Sequence, residues 1–124
     1  MIRVIVLISI FINSALVFAQ EAEFSLEEKV HKFPKTIEGE LLEHSFAIIN
    51  TGIDSLIISD YKVSCPCTKA ILPEKPIAPG ASFDLKVTFD TNGKFDFQDR
   101  TVYLVTNTKN ELEKVRFKVK VVSE

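Results

Sequence analysis

Apolar and polar residues alternate with period two over much of this chain. In Phe83-Asp84-Leu85-Lys86-Val87-Thr88-Phe89 every odd position is apolar and every even one polar, so four apolar side chains share one face of a strand. Val115, Phe117, Val119 and Val121 repeat the pattern with Arg116, Lys118 and Lys120 opposite, and Leu42 to Ile48 predicts a third strand. Leu56 and Ile58 begin a fourth, but its apolar phase moves from even to odd positions at Tyr61, Val63 and Cys65. A one-residue slip turns every later side chain to the other face, which predicts a bulge or bend near Ser59-Asp60. Val102 to Val105 is a fifth strand. Phe24 to Phe33 and Lys69 to Leu72 are weaker segments; Phe24, Leu26, Val30 and Phe33 fit neither period, and no segment carries a helical stripe.

Turn signals separate these segments: Gly39, Asn50-Thr51-Gly52, Pro73 to Pro76, Pro79-Gly80, Asn92-Gly93, and Asn107 to Asn110. About seven short strands at such intervals predict an all-β fold, a single immunoglobulin-like antiparallel β-sandwich, with a small barrel as the alternative. The chain has no tryptophan and its two cysteines are nearly adjacent, so the likeness to an immunoglobulin domain is architectural.

The first residues follow a different rule. Arg3 gives a short basic start, Val4 to Ile12 is an apolar run, and Val17-Phe18-Ala19 places small residues at the minus-three and minus-one positions of a cleavage site. This predicts a signal peptide over residues 1–19, a lead-in over 20–27 and the sandwich over 28–124. Val4 to Ala19 is shorter than the roughly 20 apolar residues a bilayer span needs, and Asn13 and Ser14 interrupt it, so stable membrane insertion after cleavage is not expected. The net charge of −2 becomes −3 once the single positive charge of Arg3 is lost. A mildly acidic chain offers no basic footprint for nucleic acid and no polybasic grip on lipid. The leader predicts an exported chain, periplasmic or secreted.

Five blocks of residues, taken in order, resemble the bacterial family DUF1573: Phe46-Ala47-Ile48-Ile49-Asn50-Thr51-Gly52; Leu56-Ile57-Ile58; Ser64-Cys65-Pro66-Cys67-Thr68; Pro76-Ile77-Ala78-Pro79-Gly80; and Val87-Thr88-Phe89-Asp90-Thr91 with Gly93-Lys94. The resemblance covers roughly residues 28–122. It implies an exported immunoglobulin-like domain of unknown biochemical function, related to sandwich domains that include chaperone-like and ciliary-associated modules, and it brings no established catalytic residue. Asn50, Gly52, Pro79, Gly80, Asn92 and Gly93 are its turn motifs. Pro66 stands where the family pattern has glycine, which counts against a role that needs a flexible backbone between the cysteines.

Cys65 and Cys67 are the candidate site. In an extended strand their Cα atoms would lie about 6.6 Å apart, two rises of about 3.3 Å, near the upper limit for a disulfide. Pro66 fixes its own φ and donates no hydrogen bond, which predicts a strand end, a bulge or an edge. Three readings stand: a local disulfide in an oxidising compartment, a thiol-disulfide exchange site, and a soft copper or zinc site on two thiolates. Two cysteines fill half of a closed zinc site, and His31 and His44 lie in separate segments. His44 shares a face with Leu42, Phe46 and Ile48, as a hydrogen-bonded core or rim histidine does. The stripe Lys114, Arg116, Lys118, Lys120 is expected to be the solvated face of a terminal strand that discourages edge pairing. Asp84, Asp90, Asp96 and Asp99 lack the dense spacing of a calcium loop. With no catalytic constellation, no catalytic residue and no cofactor are expected. The functional expectation is a non-enzymatic envelope binding or scaffolding domain with a protein partner, its oligomeric state open; the alternative is a redox or soft-metal protein acting through Cys65 and Cys67.

Overall fold

The computed structural model describes residues 21–123, so the expected leader at 1–19 lies outside the described residues. These form nine strands: β1 (Phe24–Leu26), β2 (Val30–Lys32), β3 (Thr36–Ile37), β4 (Leu41–Asn50), β5 (Ile58–Lys62), β6 (Thr68–Ile71), β7 (Ser82–Asp90), β8 (Asp96–Thr106) and β9 (Leu112–Val122). One sheet has the order β1-β4-β7-β6, the other β2-β9-β8-β5 with β3 also on β9. The alternating segments supply the long strands, and their apolar faces meet between the sheets. Phe46, Ile48, Leu85, Val87 and Phe89 come from the first sheet; Val102, Leu104, Val115, Phe117, Val119 and Val121 come from the second. Phe89 and Phe117 touch across the interface, ring centroids 5.2 Å apart. Each fully buried phenylalanine contributes about 3 kcal/mol of transfer free energy, so these rings dominate the core.

The phase slip in the fourth segment is a bulge. Ile58 pairs with Thr106 and Asp60 with Val105, so Ser59 is the extra residue. It lets Ile58 point into the core and Tyr61 pack against it after the slip.

The N-terminal run departs from the antiparallel scheme. β1 pairs antiparallel with β4, and the chain then crosses to the other sheet, where β2 and β3 lie parallel to β9. This explains why Phe24 to Phe33 followed neither period: one segment serves two sheets. Pro34 separates β2 from β3, because it has no N–H for the ladder. Between Lys32↔Lys118 and Thr36↔Val121, four residues of this run span three of β9, the count of a bulge. The last strand also corrects an expectation: β9 has neighbours on both sides, so its basic stripe guards no free edge.

β5 ends one sheet and β6 ends the other. Among the described residues both of these edges are free, so the connection 63–67 steps from one free edge to the other, and it contains both cysteines.

Candidate functional site

Pro66 turns a corner in that step. Thr68 N donates to Cys65 O at 3.2 Å, which closes a four-residue turn with Pro66 at its second position, where proline's fixed φ fits. The Cα atoms of Cys65 and Cys67 stand 5.2 Å apart with their sulfurs in contact, closer than an extended strand allows. Cys67 N points at Cys65 Sγ, 3.2 Å away. Cys67 O accepts from Asp90 N at 2.9 Å, tying the turn to the end of β7. Pro66 is exposed, both cysteines are half-buried, and Thr68 after them is buried. No histidine or carboxylate joins the two sulfurs in a group of three possible ligands among the described residues.

The turn motifs have structural work of a definite kind. Asn50 is 0% exposed. Its Oδ1 accepts from Gly52 N at 3.0 Å and Glu23 N at 3.3 Å, and its Nδ2 donates to Asp54 O at 2.7 Å and Ile77 O at 2.9 Å. One side chain thus joins the N-terminal run, its own turn and the proline-rich loop. Gly52 lies under that run: a Cβ there would collide with Glu21 O and stand 2.6 Å from Glu23 N. Pro79-Gly80 makes a turn closed by Ala81 N to Ala78 O at 3.0 Å, and the φ of +77° at Gly80 favours glycine. Asn92-Gly93 sits in the turn closed by Lys94 N to Thr91 O at 3.0 Å, with Gly93 at φ +73°. That turn carries the chain from β7 in one sheet to β8 in the other.

One cluster escaped the sequence reading. His31 on β2 and His44 on β4 stack face to face, ring centroids 3.4 Å apart and planes 8° from parallel. Glu28, in the crossing between β1 and β2, brings its Oε1 to 2.8 Å from His31 Nδ1 and 3.1 Å from His44 Nε2. Phe33 meets His31 edge-on at 4.6 Å, and Phe46 meets His44 edge-on at 4.8 Å. Burial pushes the His44 pKa down, the neighbouring His31 adds to this, and Glu28 opposes it. The inward phase of His44 was legible; the crossing that lays His31 over it was not.

The other charged candidates are distributed on the surface. Arg116 makes a bidentate pair with Asp99 at 2.8 and 2.5 Å, which holds the Asp99 carboxyl below its ordinary pKa. Lys120 lies over the Phe97 ring at 5.2 Å. Asp84, Asp90, Asp96 and Asp99 enter no three-ligand group among the described residues.

Solved structures share the fold. A protein of unknown function from Porphyromonas gingivalis superposes with a TM-score of 0.71 at 20% identity, covering 86% of this chain and 50% of its own. This chain therefore spans half the length of that protein. The ASH/PapD-like domain of human CEP192 gives 0.57 at 14% identity over 85% of this chain and 87% of that domain. A C. elegans MSP family member gives 0.52 at 8% identity over 80% and 97%. At such identities the likeness is one of fold. No curated protein matches the sequence. The family model described as protein of unknown function, DUF1573, matches residues 24–121.

Proposed function

The chain belongs to the DUF1573 family, and from that premise we propose that it is an exported, non-enzymatic binding or scaffolding domain of the periplasm or cell envelope. In this reading it recruits a protein partner through the free edge of β6. The edge itself carries the proposal. Asp90 N donates to Cys67 O, and in an alternating antiparallel ladder this puts Lys69 and Ile71 in hydrogen-bonded register with β7 and turns the backbone groups of Ala70 outward. An extended partner segment adds a strand to such an edge. Ile71 is 59% exposed, and a groove lined by Ile71, Leu72, Pro73, Pro76 and Phe83 continues from the strand. The other edges are protected in ways that sheets use against pairing: β5 carries Asp60, Lys62 and a bulge, Pro34 breaks the β2–β3 run, and β1 is only three residues long.

The cysteines have a supporting part here. We read Cys65-Pro66-Cys67 as a disulfide-closed corner, kept oxidised outside the cytoplasm, that fixes where β6 begins. The Cα separation of 5.2 Å supports this, since disulfides span roughly 4.4–6.8 Å.

The test uses the chain as bait in envelope extract, beside an Ala70→Pro variant. Proline removes the outward N–H and leaves the β7 ladder in place, so the variant is expected to stay folded and lose the partner retained by the native chain. A partner held equally by both, or substrate turnover with no partner, overturns the proposal. Terminal sequencing of the native protein is expected to begin at Gln20; an intact leader overturns the exported part.

A further inference from the structure

Glu28, His31 and His44 come from three different segments, and one ligand atom from each lies within 4.8 Å of the other two. We propose that these side chains bind one divalent transition ion of the zinc class, and that the ion latches the N-terminal run onto β4. The site is separate from the cysteines and from the β6 edge.

The donor set selects the ion class. Two imidazole nitrogens and one carboxylate oxygen suit zinc and its first-row neighbours, whereas calcium and magnesium take oxygen ligands. The spacing is close to what such an ion needs. Zinc bonds to nitrogen and oxygen are about 2.1 Å, so two ligands of a tetrahedral site stand about 3.4 Å apart. The nitrogen-to-oxygen distances are 2.8 and 3.1 Å, so these atoms must move outward by a few tenths of an ångström.

The imidazoles must also turn. Stacked at 3.4 Å and 8°, the rings hold their nitrogen lone pairs in nearly parallel planes, and coordination by both requires one ring to rotate until the lone pairs converge. That rotation is about a soft terminal torsion. His31 and His44 are 21% and 26% exposed, so their edges reach solvent, while Phe33 and Phe46 wall the inner side. Each ring binds as the neutral species, with its proton on the nitrogen away from the ion. Glu28 is 49% exposed, which leaves the fourth coordination position to water.

The fold gives the ion its effect. β1 and β2 are three residues each, and the crossing between them holds Glu28. His31 belongs to one sheet and His44 to the other. An ion held by all three binds only where the N-terminal run is docked, so its binding free energy stabilises that docking.

Zinc titration of tag-free, chelator-treated protein tests the proposal, read by calorimetry and by melting temperature. One zinc per chain is expected to raise the melting temperature. Glu28→Gln and His31→Gln are each expected to weaken binding by more than the roughly 10–100-fold that loss of an outer-shell partner costs. Cobalt in place of zinc should give the visible bands of nitrogen and oxygen donors without a thiolate charge-transfer band. The Cys65→Ser, Cys67→Ser variant should bind as the native chain does. Should a histidine variant fail to fold, the cobalt spectrum and the shifts of the His31 and His44 imidazole resonances in the native chain still decide. Lack of saturable zinc binding, affinity unchanged in Glu28→Gln, or a thiolate band with cobalt overturns the proposal.

Discussion

Replacing Asn50 with alanine removes four hydrogen bonds from one buried point. Each is worth about 1 kcal/mol net, and a buried partner left unpaired costs more. Ile77 O keeps Leu56 N as a second donor at 2.8 Å, so it is not orphaned; Glu23 N and Gly52 N both lose the Oδ1 acceptor. The expected loss is therefore about 3–4 kcal/mol, a large share of the roughly 5–15 kcal/mol that holds a domain folded. Urea unfolding followed by far-ultraviolet circular dichroism measures it. With a slope near 1.5 kcal/mol per molar, the midpoint should fall by about 2 M at unchanged slope. Asn50→Asp is the informative companion. It keeps the size but sets a carboxylate against two carbonyl oxygens, and it should be as damaging at neutral pH as alanine. A loss under about 1 kcal/mol for Asn50→Ala would refute the claim that the Asn-Thr-Gly motif is an architectural clamp.

Gly52→Ala should destabilise by about 1–3 kcal/mol, the usual cost of overpacking, because the added Cβ meets backbone of residues 21–23; a neutral result in the same unfolding assay would mean that this run is not seated as described. The Cys65→Ser, Cys67→Ser variant should remain folded and lose about 1.6 kcal/mol, the loop-entropy value for a three-residue ring, so complete unfolding would show that the bridge holds the fold. The Asp99 carboxyl titrates below its ordinary value of 3.8 because of Arg116. A depressed carboxylate pKa stabilises the fold above the ordinary pKa, and that contribution disappears as pH falls through the folded value. Carbon-detected titration should show the Asp99 midpoint rising toward 3.8 in Arg116→Gln, and an unmoved midpoint would remove the pair as its cause.

The long strands were legible because each has one buried face. Period-two alternation in β4, β7 and β9 maps onto half-buried sheet surfaces, and the slip near Ser59 marks the bulge, one of the two local changes, bulge or bend, that move apolar residues from even to odd positions within a strand. The N-terminal run was illegible for the opposite reason. Its residues serve one sheet, cross over, and then pair parallel with β9 across a proline gap, so no single period survives. The candidate site divides the same way. Pro66 announced a corner beside the strands, but only the topology shows that the corner joins two free edges. Asn50 read as a turn residue; two of its four bonds are local, to Gly52 and Asp54, but the other two depend on segments 27 residues away in either direction. His31 and His44 gave no joint signal, because 13 positions separate them in sequence and only the sheet crossing stacks them.

The central claim is that this domain works as a strand acceptor at β6. Hydrogen exchange of the backbone amides, compared between the free chain and its captured envelope partner, tests it most directly. The account predicts strong new protection at Ala70, whose N–H faces outward in the free chain, with β5 unchanged. Protection confined to β5 or to the N-terminal run, with Ala70 exchanging as freely as before, would contradict it.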